Sequence, residues 1–222
     1  MKQTLTRLHP VDMAVLLALF EGATLFVMAL AMEFLRPRGT FLGDALLGAI
    51  IGLLGTPIAL GIWHLGRLRL RGTLHNKPFT LTHINVIPAS AANAVFLVVL
   101  FWIEDLIRAI TDVPFVGIAL LGLVATTLSI LLLLFIYNLQ PLKIWVTIGY
   151  PERIARAGPL AAVFAGIFEA VILPIMSWLM TLPLPTVASF TIAGMVSGFI
   201  GGLVGTWILN LFAPWLKPWL DL

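Results

Sequence analysis

Residues 11–35 read VDMAVLLALFEGATLFVMALAMEFL. An apolar run of about 18 residues or more is long enough to cross the hydrocarbon core of a bilayer as a helix. Five further runs of this kind follow along the chain. We therefore predict six membrane-spanning helices, at Val11–Leu35, Phe41–Leu65, Ile84–Ile107, Val113–Leu139, Pro159–Leu182 and Thr186–Ala213.

The composition agrees with an all-α integral membrane protein. The chain has 222 residues, of which 60% are hydrophobic and 10% are charged, whereas a soluble domain is roughly a quarter charged. The longest connections between spans, 66–83 and 140–157, are too short for a separate soluble domain. We predict a single membrane domain over residues 1–222. The absence of Cys excludes disulfides, thiolate metal sites and thiol nucleophiles from this chain.

The basic residues predict the orientation in the membrane. Ten of the 13 Lys and Arg residues fall on the side of the two termini and the two long connections, and three fall on the other side. The positive-inside rule then places both termini in the cytoplasm, as expected for a multi-pass protein of an inner (cytoplasmic) membrane. The pI of 9.7 follows from this asymmetry. It does not predict nucleic-acid binding, because no basic domain is present to hold a duplex.

The helices are predicted to form three similar hairpins. The even-numbered helices end in WHL at 63–65, YNL at 137–139 and LNL at 209–211, with spacings of 74 and 72 residues. The odd-numbered helices begin alike, with a proline after a short lead, at Pro10, Pro88 and Pro159. We predict three tandem parallel hairpin repeats at about 4–76, 77–148 and 149–222, related by an axis along the membrane normal. The repeat signature is His64, Asn138 and Asn210.

These features resemble uncharacterised prokaryotic multi-pass membrane families built of tandem helical hairpins, known only as domains of unknown function. The resemblance rests on the proline-led odd helices and on an even helix that closes on aromatic-Asn-Leu, as in Tyr137-Asn138-Leu139. It covers the whole chain. The first hairpin departs from it with His64, and the third with Leu209 before its Asn. The resemblance implies no substrate, cofactor or catalytic residue.

Two glutamates interrupt the predicted spans near their centres. Glu21 lies in LFEGA and Glu169 in IFEAV, and 148 residues, or two periods of 74, separate them. The second hairpin has VFLVV at 95–99, with no acid at the matching place. A carboxylate at the bilayer centre costs a few kcal/mol and is usually functional. The two acids therefore occupy one position of the repeat, present in the first and third copies.

Two interpretations of Glu21 and Glu169 remain open. A desolvated carboxyl group favours its protonated form, and a second carboxyl nearby adds to this effect, so the pair is suited to proton or cation handling. Alternatively, each acid is hydrogen-bonded to a neighbouring helix or faces a partner subunit. The hydroxyl groups available for such bonds belong to Thr24, Thr56, Thr126, Thr127 and Ser129.

Glycines at a spacing of four residues line the second and sixth helices. Small residues at this spacing allow two helices to approach closely, either within one chain or between protomers. We predict a packing role for Gly48, Gly52, Gly194, Gly198, Gly201 and Gly205.

The connection after the second helix alternates basic and apolar residues. Its arginines, Arg67, Arg69 and Arg71, are predicted to contact lipid headgroups or a partner. His64 raises the question of a haem or pigment ligand, but no second His is expected at its depth. No catalytic, nucleotide-binding or metal-binding motif is present, so no metal or cofactor is predicted. The leading hypothesis is a non-enzymatic structural or accessory subunit of a membrane assembly, or a homo-oligomer. The alternative is a small proton- or cation-coupled channel or transporter that uses Glu21 and Glu169.

Overall fold

The computed structural model describes residues 2–35, 41–75, 77–110, 115–139, 156–157, 159–181 and 186–221. Six α-helices account for most of these residues and begin or end within three residues of the predicted spans. They are α1 (Pro10–Leu35), α2 (Phe41–Leu65), α3 (Val86–Ile110), α4 (Phe115–Leu139), α5 (Pro159–Leu179) and α6 (Thr186–Leu216).

Five of the helices are long and apolar enough to cross a membrane: α1, α2, α3, α5 and α6. In α4 the apolar segment found within the described residues is Gly117–Leu132, which is shorter. The full helix α4 has 25 residues and is therefore about 37 Å long at 1.5 Å per residue. The protein is thus a multi-helix protein of the multi-pass membrane type, and the sixth span stays a prediction.

The helices pack in chain order and close into a ring. Each helix contacts its neighbours in the chain, and α6 contacts α1. In the described part of the chain no extensive contact joins helices across the ring. The contacts α6–α1, α2–α3 and α4–α5 are more extensive than α1–α2, α3–α4 and α5–α6. The tightest contacts therefore join different predicted hairpins.

A five-stranded antiparallel sheet lies at one end of the ring. Its strands are β1 (Lys2–Leu8), β2 (Leu70–Leu74), β3 (Lys77–Leu81), β4 (Arg156–Ala157) and β5 (Trp219–Asp221), in the order β3-β2-β1-β5-β4. The strands come from both termini and both long connections, so all four segments lie at the same end of the ring. We refer to this end as the sheet end.

The apolar runs of the sequence predict helices and no strands, and the sheet corrects that prediction. Buried leucines from three strands pack this sheet against the helices: Leu5, Leu8, Leu70, Leu74 and Leu81. One signal was available, because Arg67 to Arg71 alternate with Leu68 and Leu70, and a period of two is typical of a half-buried strand. Pro78 lies in the edge strand β3, where a missing N–H costs least.

Two of the four apolar clusters in the described part of the chain lie toward the two ends of the ring. The inner cluster, at the sheet end, joins α5 and α6 to the strands and contacts α1; it contains Leu5, Leu8, Leu74, Phe164, Phe168, Ile172, Leu209 and Ala213. The outer cluster, toward the opposite end, joins α1, α2, α3 and α4; it contains Val27, Ala31, Leu47, Ile51, Leu97, Leu100, Leu121 and Ala125.

Candidate functional site

Glu21 lies on the face of α1 that is turned toward the ring interior. It follows Leu17 by one turn, and Leu17 packs against the inner cluster. It precedes Met28 by seven residues, and Met28 packs against the outer cluster. Residues four and seven apart share one face of a helix. The backbone of Glu21 also contacts Gly194 of α6, which sets the distance between these two helices.

Glu169 lies on the corresponding face of α5. Phe168 and Ile172 pack against α6 at Gly205 and Gly201, and Gly166 packs against α4 at Leu123. At 100° per residue, Glu169 falls on the narrow arc between these two contact faces, which points into the ring. The opposite arc carries Trp178, which is 60% exposed. Glu169 and Glu21 are both half-buried.

The structure brings a third acid toward this pair. The carboxyl group of Glu169 lies close enough to those of Glu21 and Glu104 for their charges to interact. Glu104 comes from α3, within the apolar span Val86–Ile107. Glu104 lies three residues before the end of that span. Three odd-numbered helices, α1, α3 and α5, thus each supply one carboxyl group to the ring interior.

The position of Glu104 differs from that of the other two acids. The backbone of Glu21 contacts Gly194, and the backbone of Glu169 contacts Gly122. In α3, the residue whose backbone contacts the corresponding glycine, Gly48, is Leu97. Leu97 therefore occupies the place of the acid in α3, and Glu104 follows it by seven residues on the same face. The seven-residue spacing indicates that Leu97 and Glu104 share a face of α3. The sequence alone does not show that this face points into the ring.

Three of the hydroxyl groups considered as partners of the acids bond elsewhere. Thr56 accepts a hydrogen bond from the Asn93 side chain at 3.0 Å. Ser129 donates to the Ala125 carbonyl at 2.7 Å, and Thr127 donates to the Ala162 carbonyl at 3.4 Å. These bonds lie within α4 or join α2 to α3 and α4 to α5. They stabilise the ring wall and do not bind the glutamates.

The predicted packing glycines all face a neighbouring helix of the same chain. Gly48 and Gly52 contact α3, Gly194 and Gly198 contact α1, and Gly201 and Gly205 contact α5. A Cβ atom at Gly198 would lie 2.6 Å from the carbonyl oxygen of Leu17, which is too close for any side chain. Gly122 of α4 was not among the predicted packing glycines. It likewise allows α4 to pack closely against the backbone of Glu169.

Asn210 ties the last helix to the first strand. Its side-chain oxygen accepts a hydrogen bond from the backbone N–H of Leu8 at 2.8 Å, and its side-chain nitrogen donates to the Leu8 carbonyl at 2.8 Å. The amide thus makes both hydrogen bonds that a neighbouring strand would make. Leu8 lies two residues before the start of α1, so Asn210 holds α1 to the end of α6.

His64 makes a related contact at the end of α2. Its Nε2 accepts a hydrogen bond from the backbone N–H of Ile84 at 3.3 Å, two residues before the start of α3. His83 stacks on its ring with centroids 4.3 Å apart, so the expectation of no second His nearby is wrong. Nε2 of His64 is therefore engaged by the backbone just before the start of α3. The side chain of Asn138, the third signature residue, lies outside the described part.

The three arginines after α2 have different surroundings. Arg71 forms a two-point ion pair with Asp12 at 2.7 and 2.9 Å, and His9 adjoins the same carboxylate at 3.1 Å. The hydrogen bonds and charge of Asp12 raise the pKa of the Arg71 guanidinium above its ordinary value. Arg67 and Arg69 are exposed and have no partner within the described residues. Arg71 therefore links β2 to α1, and the other two are available to external groups.

In the described part of the chain no group of three or more His, Asp or Glu side chains is arranged to hold a metal ion. No family model, curated protein or solved structure matches this chain. The resemblance to uncharacterised multi-pass families therefore stays a prediction.

Proposed function

We propose that the protein is a small proton- or cation-coupled channel or transporter in which Glu21 and Glu169 bind the transported ion. The observation that carries this proposal is the placement of the two acids on the inward-facing sides of α1 and α5, at the middle of both helices and inside a closed ring. A carboxyl group held at this depth is costly when charged and alone. A pair that shares or exchanges a proton lowers that cost, and the third carboxyl, Glu104, extends the acidic region along the ring axis.

The proposal includes the three-hairpin architecture. Gly48, Gly122 and Gly194 are separated by 74 and 72 residues, the spacings at which the even helices end. Each of the three packs against the backbone of the next odd helix around the ring, at Leu97, Glu169 and Glu21. This agreement of spacing and contact supports three tandem parallel hairpins related by an axis through the ring. The boundary near residue 148 lies outside the described residues.

Apolar side chains lie toward both ends of the ring. Leu5, Leu8 and Leu74 of the inner cluster lie at the sheet end, and the outer cluster lies toward the opposite end. In the proposed mechanism an ion passes these apolar side chains to reach Glu21 and Glu169. Opening one cluster at a time would give alternating access to a site at mid-membrane, as in transporters built of repeated helical units.

Proton flux into liposomes tests the proposal. The full-length protein is reconstituted with a pH-sensitive dye inside the vesicles and a fixed membrane potential, and the assay is repeated with Na⁺ and K⁺ gradients. We expect flux in the wild type and at least a tenfold loss in Glu21→Gln, in Glu169→Gln and in the double variant, since glutamine keeps the shape but cannot exchange a proton. Glu104→Gln should also lower the flux.

Asp105→Asn serves as the matched control, because Asp105 adjoins Glu104 in sequence but is exposed. We expect its flux to equal that of the wild type. Absence of flux in the wild type would rule out transport. Flux that survives the double change would remove Glu21 and Glu169 from the pathway.

A second candidate function is that of an accessory subunit in a membrane assembly. The observation that favours it is the same pair of clusters, because apolar packing that joins neighbouring helices also suits a purely structural role. Extraction from the native membrane in a mild detergent tests it. An assembly larger than one chain, together with absence of flux from the purified protein, would favour the subunit. A monomer with robust flux would contradict it.

A further inference from the structure

The cations with described side chains all lie at the sheet end. They are Arg7, Arg67, Arg69, Arg71, Lys77 and Lys217, and every one of them is exposed. Within the described residues the carboxylate of Asp12 pairs with Arg71 and with His9. The other five cations have no ion-pair partner in the described part of the chain. The sheet end is therefore an electropositive surface.

Two of these cations hold equivalent places at the ends of even helices. Arg67 follows α2 and Lys217 follows α6, and both have a left-handed backbone, with φ of 49° and 45°. Each of these two segments closes its helix with a backbone hydrogen bond to the last turn: Gly66 donates to Ile62 at 2.9 Å and Lys217 donates to Ala213 at 2.9 Å. Such a left-handed cap turns the chain sharply out of the helix, so each cation stands at the edge of the ring.

Large apolar side chains stand directly beside both cations. Leu65 is 87% exposed and precedes Arg67 by two residues, and Trp215 is 83% exposed and precedes Lys217 by two residues. An exposed Trp at the end of a membrane-spanning helix marks the level where hydrocarbon meets headgroups, and Leu65 offers an exposed apolar side chain at the corresponding end of α2. A cation one or two residues further along the chain then lies at the level of the lipid phosphates.

We propose that Arg67 and Lys217, with Arg69 beside the first, bind the headgroups of anionic phospholipids in the leaflet at the sheet end. The lipid phosphate contacts the cation, and an acyl chain of the same lipid lies against Leu65 or Trp215. Lipid is the occupant that this geometry fits, because charged and apolar contacts stand in the same order along the membrane normal as they do in a phospholipid. This proposal does not depend on the transport hypothesis.

Retention of lipid by the purified full-length protein tests the proposal. The protein is placed in nanodiscs of phosphatidylcholine with a minor fraction of phosphatidylglycerol, and the lipids that remain bound after transfer to detergent are measured by native mass spectrometry. We expect phosphatidylglycerol to be enriched on the wild type. In the variant Arg67→Gln/Lys217→Gln its affinity should fall about 25-fold, since each basic residue at a membrane surface contributes about fivefold.

The control variant is Arg7→Gln/Lys77→Gln, which removes the same charge from strands β1 and β3. We expect it to retain most of the enrichment, because these cations do not adjoin an exposed apolar helix end. An equal loss in both variants would show diffuse electrostatic attraction and overturn the proposed sites. Unchanged enrichment in the first variant would show that Arg67 and Lys217 act only as determinants of topology.

Discussion

Single polar side chains hold the starts of two helices in this protein. Asn210 bonds both backbone groups of Leu8, and His64 accepts from the backbone N–H of Ile84. Backbone groups that are shielded from water need such partners, because an unpaired group costs more than the bond contributes when formed. His64 thus ties the end of α2 to the start of α3, and Asn210 ties α6 to the first strand across the ends of the chain.

Replacement of Asn210 tests this role. Asn210→Ala removes two hydrogen bonds of 2.8 Å and leaves Leu8 without either partner, so we expect a loss of about 1–3 kcal/mol in the free energy of unfolding. Asn210→Asp keeps the acceptor for the Leu8 N–H and should fall between alanine and the wild type. Thermal unfolding in detergent measures the effect. An alanine variant as stable as the wild type would show that water or a neighbouring group replaces the amide.

Helix pairs in the ring depend on glycines in the even-numbered helices. Along α6, Gly194, Gly198 and Gly202 contact the backbone of α1, and Gly201 and Gly205 contact side chains of α5. Two faces of one helix are therefore used inside the chain. Fewer glycines of α6 are therefore available for contacts between protomers than the glycine spacing suggested. The sequence pattern alone does not distinguish packing within the chain from packing between protomers.

Gly198→Ala and Gly61→Ala form a matched pair of substitutions. A Cβ at position 198 would lie 2.6 Å from the Leu17 oxygen, whereas nothing lies within 4 Å of a Cβ at position 61. We expect Gly198→Ala to destabilise the protein by about 1–3 kcal/mol through overpacking. Gly61→Ala should be neutral or stabilising by up to about 1 kcal/mol, because alanine favours a helix interior. Unfolding in detergent compares the two, and equal effects would contradict the α1–α6 contact.

The whole molecule is closed by its termini. Strand β1 lies between β2 and β5, and α1 packs against α6, so the first and last segments of the chain join the ring at both the helix and the sheet level. The sheet covers the end of the ring nearest the inner cluster. Any motion that opens this end must separate or tilt the sheet.

A disulfide between the terminal strands tests this closure on a chain that has no native Cys. Gln3 pairs with Leu220 across β1 and β5, so Gln3→Cys/Leu220→Cys should form an intramolecular bond on mild oxidation. Gln3→Cys/Thr80→Cys is the control, because β2 lies between β1 and β3 and two strand spacings alone, about 9 Å, exceed disulfide reach. Mass spectrometry after protease digestion distinguishes the products. A bond in the control alone would contradict the strand order.

Local sequence determines part of this molecule, and the closure of the ring determines the rest. The six helices and the mid-helix positions of Glu21 and Glu169 follow from local sequence, because a helix in lipid satisfies its own backbone and its length is fixed by the apolar run. The sheet, the stacking of His83 on His64 and the approach of Glu104 to Glu169 do not. Each joins residues far apart in the chain, and Glu104 faces the acids only because packing against α2 turns one side of α3 inward. Those pairings exist only once the ring has closed, and so tertiary packing decided them.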